Sequence, residues 1–232
     1  MDIPPILAIN LPERKDRWVS IQNVFQTWRQ NIERVEAVKM EPGWKGCSLS
    51  HRKCIELAKQ RNYPWVLLVE DDCLPTDGAY QRFRDLLPTL WARRSEWEVF
   101  SGGPSYLLGA KVVSRNPPLL DVVTYGTHFC LVHAGTYDKI LKDVGDHLRI
   151  DVYYTESMKT WCTVPHLATQ LPGKSDIDGK VTDHSEKFQV AEEILYKKLF
   201  LDEWDFIPKL VALTLVVTSV GCALYCGKMG RK

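Results

Sequence analysis

The chain has 232 residues, 30 Lys+Arg against 29 Asp+Glu, 45% apolar and 25% charged. That balance excludes wholesale disorder, and the length fits one large domain or two small ones. From Ile207 onward there are four cations and no acid, so residues 1–206 hold 26 basic and 29 acidic groups. A slightly acidic body excludes a general nucleic-acid binder, because phosphate contacts need clustered Lys and Arg.

In chain order, Ile6–Leu11 (ILAINL) reads as a buried strand. Trp18, Ile21, Phe25 and Trp28 then recur at helical spacing and read as core packing. Val35–Lys39 is a second short strand candidate, and Ser50 reads as the cap of a helix running to about Arg61. Trp65–Val69 (WVLLV) is the strongest strand signal and runs straight into Glu70, Asp71 and Asp72. A helix over Asp77–Trp91 follows, then strands near Glu98–Ser101, Ala110–Ser114, Asp121–Thr124 and His128–His133. Helices over Ala134–Val144 and Asp183–Leu201 complete the body. Alternating strands and helices up to Trp91 predict a largely parallel sheet with crossover helices, and the strand-rich remainder predicts a mixed part.

The tail is different. Leu210–Cys226 is uncharged over 17 residues, and the run becomes 20 with Ile207, Pro208 and Lys209. A spanning helix needs about 17–25 mostly apolar residues, so residues 207–232 read as a membrane anchor with a short basic tail. The start has no basic n-region or long apolar run of a secretory signal, which predicts a cytosolic body. The acids before the span and the bases after it predict the opposite orientation. The 7 cysteines form no C-x-x-C pair, and their odd count and scatter argue against a disulfide framework or a zinc site.

Four groups of residues carry chemistry. Glu70-Asp71-Asp72 repel one another at a strand end, where α/β sheets bind ligands, and hard oxygens there suit Mg²⁺ or Mn²⁺. Asn10 offers hydrogen bonds to a base or ribose, while Arg14 and Arg17 suit phosphate oxygens. In Gly43-x-x-Gly46-Cys47-x-x-Ser50-His51, the glycines allow close backbone approach, and a helix start near Ser50 points amides at an anion. Late in the chain stand Gly126-Thr127-His128, Asp151, and Gln170 with Ser175-Asp176-Ile177. Asp151 reads as a general base or, equally, as a helix cap or surface carboxylate.

In this order, N-L-x-x-R-x-x-R (Asn10–Arg17), G-x-x-G-C-x-x-S-H (Gly43–His51), VEDD (Val69–Asp72), GTH (Gly126–His128) and Q-x-x-x-x-S-D-I (Gln170–Ile177) resemble glycosyltransferase family 25. That family includes bacterial lipopolysaccharide galactosyltransferases and collagen hydroxylysine galactosyltransferases. The resemblance spans roughly Ile6 to Gly179. It implies an A-type glycosyltransferase fold, Rossmann-like, over residues 1–206. It also implies a UDP-galactose or UDP-glucose donor, Mn²⁺ (or Mg²⁺), and transfer with inversion to a glycan or glycoprotein acceptor. Asn10 and Arg14 would line the nucleotide pocket, and Asp72 with Asp71 or Glu70 would hold the metal. Asp176 would complete the donor site, and Asp151 is the choice for the base.

Arg17, Gly46, Ser50, His51, Thr127, His128 and Ser175 join the expected donor site. The compact chain with its C-terminal anchor differs from the longer, signal-bearing animal collagen enzymes, which points away from collagen as acceptor. The family also has apparently inactive members with adhesion-like roles, so a membrane-tethered binding protein is the alternative. A phosphoryl-transfer enzyme is a further rival, against which stands the lack of a G-x-x-x-x-G-K-[ST] loop.

Overall fold

A computed structural model of the chain describes residues 1–28, 30–176 and 179–201. The expected span, Leu210–Cys226, lies outside these residues, as does Ile177 of the late motif. Among the described residues, no helix is long and apolar enough to cross a membrane.

The first half runs β1 (Ile6–Asn10), α1 (Lys15–Phe25), β2 (Ile32–Glu36), α2 (Gly43–Gln60), β3 (Trp65–Glu70), β4 (Cys73–Pro75) and α3 (Ala79–Ala92). Then come β5 (Val99–Ser101), β6 (Tyr106–Arg115), β7 (Pro118–Tyr125), β8 (Phe129–His133), α4 (Ala134–Asp143) and α5 (Ile150–Ser157). The chain continues through β9 (Thr160–Cys162), β10 (Ala168–Gln170), β11 (Gly173–Lys174), β12 (Val181–Thr182) and α6 (Ser185–Leu201).

Eight strands form one sheet in the order β2-β1-β3-β8-β5-β9-β7-β6. Only β8 and β7 run against the other strands, so the sheet is mostly parallel in direction but mixed in its pairings. Its central strands are buried on both faces, which is why they read as continuous apolar runs.

Alternation divides those runs between two cores, because successive side chains leave a strand on opposite faces. Ile6, Ala8, Leu67 and Val69 pack with Ile21 and Phe25 of α1 and Phe83 and Leu87 of α3. Leu7, Ile9, Val66 and Leu68 pack with Ile55 of α2, Ile140 of α4 and Tyr154 of α5. A third cluster lies under α6, where Ala191, Leu195 and Leu199 meet Leu107, Leu120 and Val122. Of the stripe Trp18, Ile21, Phe25 and Trp28, the last three are buried, and Trp18 is half-buried against the same core.

The second strand runs Ile32–Glu36 rather than Val35–Lys39, and the helix after it is corrected too. The second helix begins at Gly43 rather than Ser50, and Ser50 is a mid-helix residue whose hydroxyl donates to the Gly46 carbonyl at 2.6 Å. Glycines read from sequence as a loop are helical here because the backbone packs closely. A Cβ at Gly46 would lie 2.2 Å from the Val38 carbonyl oxygen. Tertiary contact overrides the low helix propensity of glycine.

Candidate functional site

Parallel β1 and β3 end side by side, with Ile9 in register with Glu70. Asn10 closes β1, Glu70 closes β3, and the chain turns through Asp71 and Asp72 into β4. Short β4 pairs antiparallel with β10, setting Gln170 opposite Cys73, and the Leu171 amide donates to the Asp72 carbonyl at 2.7 Å. The β11–β12 hairpin then carries Ser175 and Asp176 back toward α1. Four sequence-distant segments thus meet at the carboxyl ends of the parallel strands, where open α/β sheets place ligands.

The result is a cleft of about 380 Å³. Of the expected site residues, Asn10, Arg17, Ser50, His51, Glu70, Asp71, Asp72, Ser175 and Asp176 line it. Arg14, Gly46, Thr127, His128 and Asp151 are not among the lining residues.

The acids are held unequally. Asp71 is well bonded: Arg17 donates to Oδ1 at 2.8 Å and Asn10 Nδ2 donates to Oδ2 at 2.7 Å. Burial nonetheless pushes its carboxyl up from the ordinary value. Asp72 has only long contacts, from Arg17 at 3.5 Å and Gln170 at 3.4 Å. Burial, reinforced by the Glu70 charge, pushes it up to about 7. Burial works on Glu70 in the same direction, but bonds from His51 and Thr127 outweigh it and hold this carboxyl below its ordinary value. A carboxylate as poorly compensated as Asp72 has a use for a cation.

Asn10 is buried, and its Oδ1 has no partner. That leaves one buried acceptor beside the cleft without a hydrogen bond. Arg17 also donates to the Lys174 carbonyl at 2.9 Å, tying the late hairpin to the acid cluster. Arg14 bridges Asp16 and Asp176, so it fixes Asp176 rather than facing the cleft.

The remaining expected residues act from behind or elsewhere. Thr127 donates to Glu70 Oε1 at 2.6 Å, and the His128 carbonyl accepts the Glu70 amide at 3.0 Å. Gly126 ahead of them has φ 116°, a region that favours glycine. The His128 ring is buried against Phe188, and burial pushes it down to about 4. Ser50 is occupied by Gly46 and by the Val38 amide, which donates to it at 2.8 Å. Asp151 sits in the first turn of α5, accepting from the Val152 amide at 2.9 Å and from Arg149 at 3.3 Å.

Sequence reasoning missed Cys47, which lines the cleft beside His51. Ligand atoms of Cys47, His51 and Glu70 all lie within 4.8 Å of one another. The signal was the Cys-x-x-x-His spacing, which puts both side chains on one helix face, and it is invisible when the helix is started at Ser50.

No family model matches this sequence, and no curated protein matches it either. Among solved structures the chain is similar to a glycosyltransferase involved in the glycosylation of the major capsid of PBCV-1. The TM-score is 0.48 at 12% identity, over 82% of this chain and 98% of that one. It is also similar to A197 from STIV, with TM-score 0.47 at 10% identity over 78% and 95% of the two chains. A mannose-1-phosphate geranyltransferase from Thermus thermophilus follows, with TM-score 0.38 at 9% identity over 68% and 58%. Each score lies below 0.5, so function is read from the site.

Proposed function

We propose that the chain is a metal-dependent inverting glycosyltransferase of the family 25 kind. It would move galactose or glucose from a UDP-sugar to a hydroxyl of a glycan or protein. The observation that supports this most is Asp72, a half-buried acid whose carboxylate finds only contacts of 3.4 and 3.5 Å, at the strand-end mouth of a nucleotide-sized cleft.

The residues fit a hard cation in part. Asp72 is available to Mn²⁺ or Mg²⁺, whereas each Asp71 oxygen already accepts a hydrogen bond that a cation would have to share. A divalent cation bound there supplies charge neutralisation for a departing diphosphate. Asn10 Oδ1 would accept from the nucleoside, and Arg17 would balance the acids before a donor arrives. The acceptor oxygen attacks the anomeric carbon from the face opposite the diphosphate, the carbon–oxygen bond to UDP breaks, and the hydroxyl proton leaves to a base. Asp151, the base expected from sequence, stands outside the cleft lining, so its variant tests that role.

The engagement of Asp71 by Arg17 and Asn10 also favours a second reading, a membrane-tethered protein that binds without catalysis. Residues 207–226 would hold either protein at a membrane, with the body on the cytosolic side. Protease added outside sealed microsomes should then digest the body, and full protection would reverse the orientation.

The first experiment is UDP release from a panel of UDP-sugars with Mn²⁺ or EDTA, beside Asp72→Ala. Mn²⁺-dependent release from one sugar, lost in the variant, supports transfer and names the donor. Donor binding without release, even with candidate acceptors, favours the binding protein. Neither binding nor release overturns the nucleotide-sugar reading.

A further inference from the structure

We propose that Cys47, His51 and Glu70 form a second metal site in the cleft, for a borderline-soft divalent cation of the Zn²⁺ class. It is distinct from the hard-cation position at Asp72. Cys47 and His51 are four residues apart on α2 and therefore share a face one turn apart. Glu70, at the end of β3, meets that face. All three line the cleft, and their ligand atoms lie within 4.8 Å of one another.

The distances are close to what a cation requires. With bonds of about 2.0–2.3 Å, ligand atoms around a tetrahedral Zn²⁺ sit roughly 3.3–3.8 Å apart. Small side-chain rotations close the gap.

Local bonding points the same way. His51 is fully buried, yet Nδ1 has no partner and Nε2 stands 3.3 Å from Glu70 Oε1, a long contact. A buried imidazole with one unpartnered nitrogen and one long contact has a ring nitrogen to offer a cation. Thr127 donates to Glu70 Oε1 at 2.6 Å, the outer-shell hydrogen bond that orients a ligating carboxylate.

The donor set decides the class of ion. A thiolate, an imidazole and a carboxylate together select Zn²⁺, Co²⁺ or Fe²⁺ over Mg²⁺, Mn²⁺ or Ca²⁺, which prefer oxygen. Three protein ligands would leave a fourth position, which a ligand could reach from the cleft that all three line. A water or an anionic oxygen of a bound ligand would fill it. Binding exchanges protons for the cation: the Cys47 thiol loses one to solvent as its sulfur–metal bond forms, with no change of oxidation state. The site does not depend on the sugar-transfer reading, since Asp72 is not one of its ligands.

Cobalt alone is the probe, added to the full chain in detergent after chelator treatment. The expected result is one equivalent of Co²⁺ bound, with a near-ultraviolet sulfur-to-cobalt charge-transfer band that one equivalent of Zn²⁺ removes. Cys47→Ser should abolish the band, which separates this thiol from the chain's other cysteines. His51→Ala should weaken Co²⁺ binding about 100-fold or more, at least the scale on which outer-shell changes weaken metal sites. Should that variant fail to fold, Glu70→Gln keeps the shape and should weaken binding comparably. Asp72→Asn should keep the band. No band in the folded protein, or a band that survives Cys47→Ser, overturns the site. Loss of UDP release in Asp72→Asn with the band intact would show the two sites to be separate.

Discussion

Burial acts on two groups of ionisable side chains in this molecule, with opposite consequences. At the cleft it pushes the Asp72 carboxyl up to about 7, and this acid finds only contacts of 3.4 Å and longer. Beneath α6 it pushes His128 down to about 4 and His166 to about 3. The histidines stay neutral with Phe188 against both rings, at centroid distances of 5.2 and 6.3 Å. A neutral imidazole is tolerated in a core, whereas a carboxylate near its titration point is a standing strain on the fold. The first arrangement is one that a bound cation would relieve. The second belongs to packing, and His128, for all its place in the GTH motif, is not among the residues that line the cleft.

The largest effect that would sharpen this contrast is at Asp72. Asp72→Asn should reduce transfer about 1,000-fold, the several kcal/mol that a Lewis-acid metal supplies. The same change should stabilise the metal-free fold. An acid whose folded pKa is raised contributes its cost above about 7 and none below the unfolded value near 3.8. Urea unfolding in EDTA should therefore show a gain of about 2–4 kcal/mol at pH 8 that vanishes by pH 4. Retained transfer, or an equal gain at both pH values, would break the comparison on the cleft side.

The histidine side responds to pH with the other sign. His166 has a folded pKa depressed to about 3 against 6.5, so its stability is full above 6.5 and falls as pH drops toward 3. Between pH 7 and pH 4 it should lose the fold about 3 kcal/mol. His166→Leu should flatten that acid limb in urea melts. An acid limb unchanged in the variant would show that other groups set it.

Much of the fold was legible because its central strands are buried runs bounded by loops. β1, β3 and β8 stand within a residue of their expected bounds. The pieces that complete the cleft were not legible. β4 and β10 are 3 residues each and β11 and β12 are 2, too short for any periodicity, and β4 finds β10 across nearly 100 residues of sequence. The acid cluster could be read from its position after WVLLV. Cys47 could not, because its meaning depends on where α2 starts.

That helix start has its own test, of smaller size. Gly46→Ala puts a methyl 2.2 Å from the Val38 carbonyl, a backbone atom that cannot rotate away. Overpacking of this kind costs about 1–3 kcal/mol, despite the helix propensity gained. Ser50→Ala removes the acceptor of the Val38 amide and should cost about 1 kcal/mol. Chemical melts of both variants check the pair, and a stabilised Gly46→Ala would mean that α2 does not press on Val38.

Asp151 should give the smallest effect. A general base contributes about 10²–10⁴-fold to a rate, and needs to reach the proton that it takes. Here the carboxylate lies in the first turn of α5, bonded to the Val152 amide and to Arg149, and is not among the cleft-lining residues. Asp151→Asn keeps its size and its acceptor oxygen toward Val152, so kcat should fall by less than about tenfold. The pH profile of kcat should keep its shape. A hundredfold loss with an altered acid limb would instead require Arg149 to release Asp151 when the acceptor binds, and α5 would then be a moving wall of the cleft.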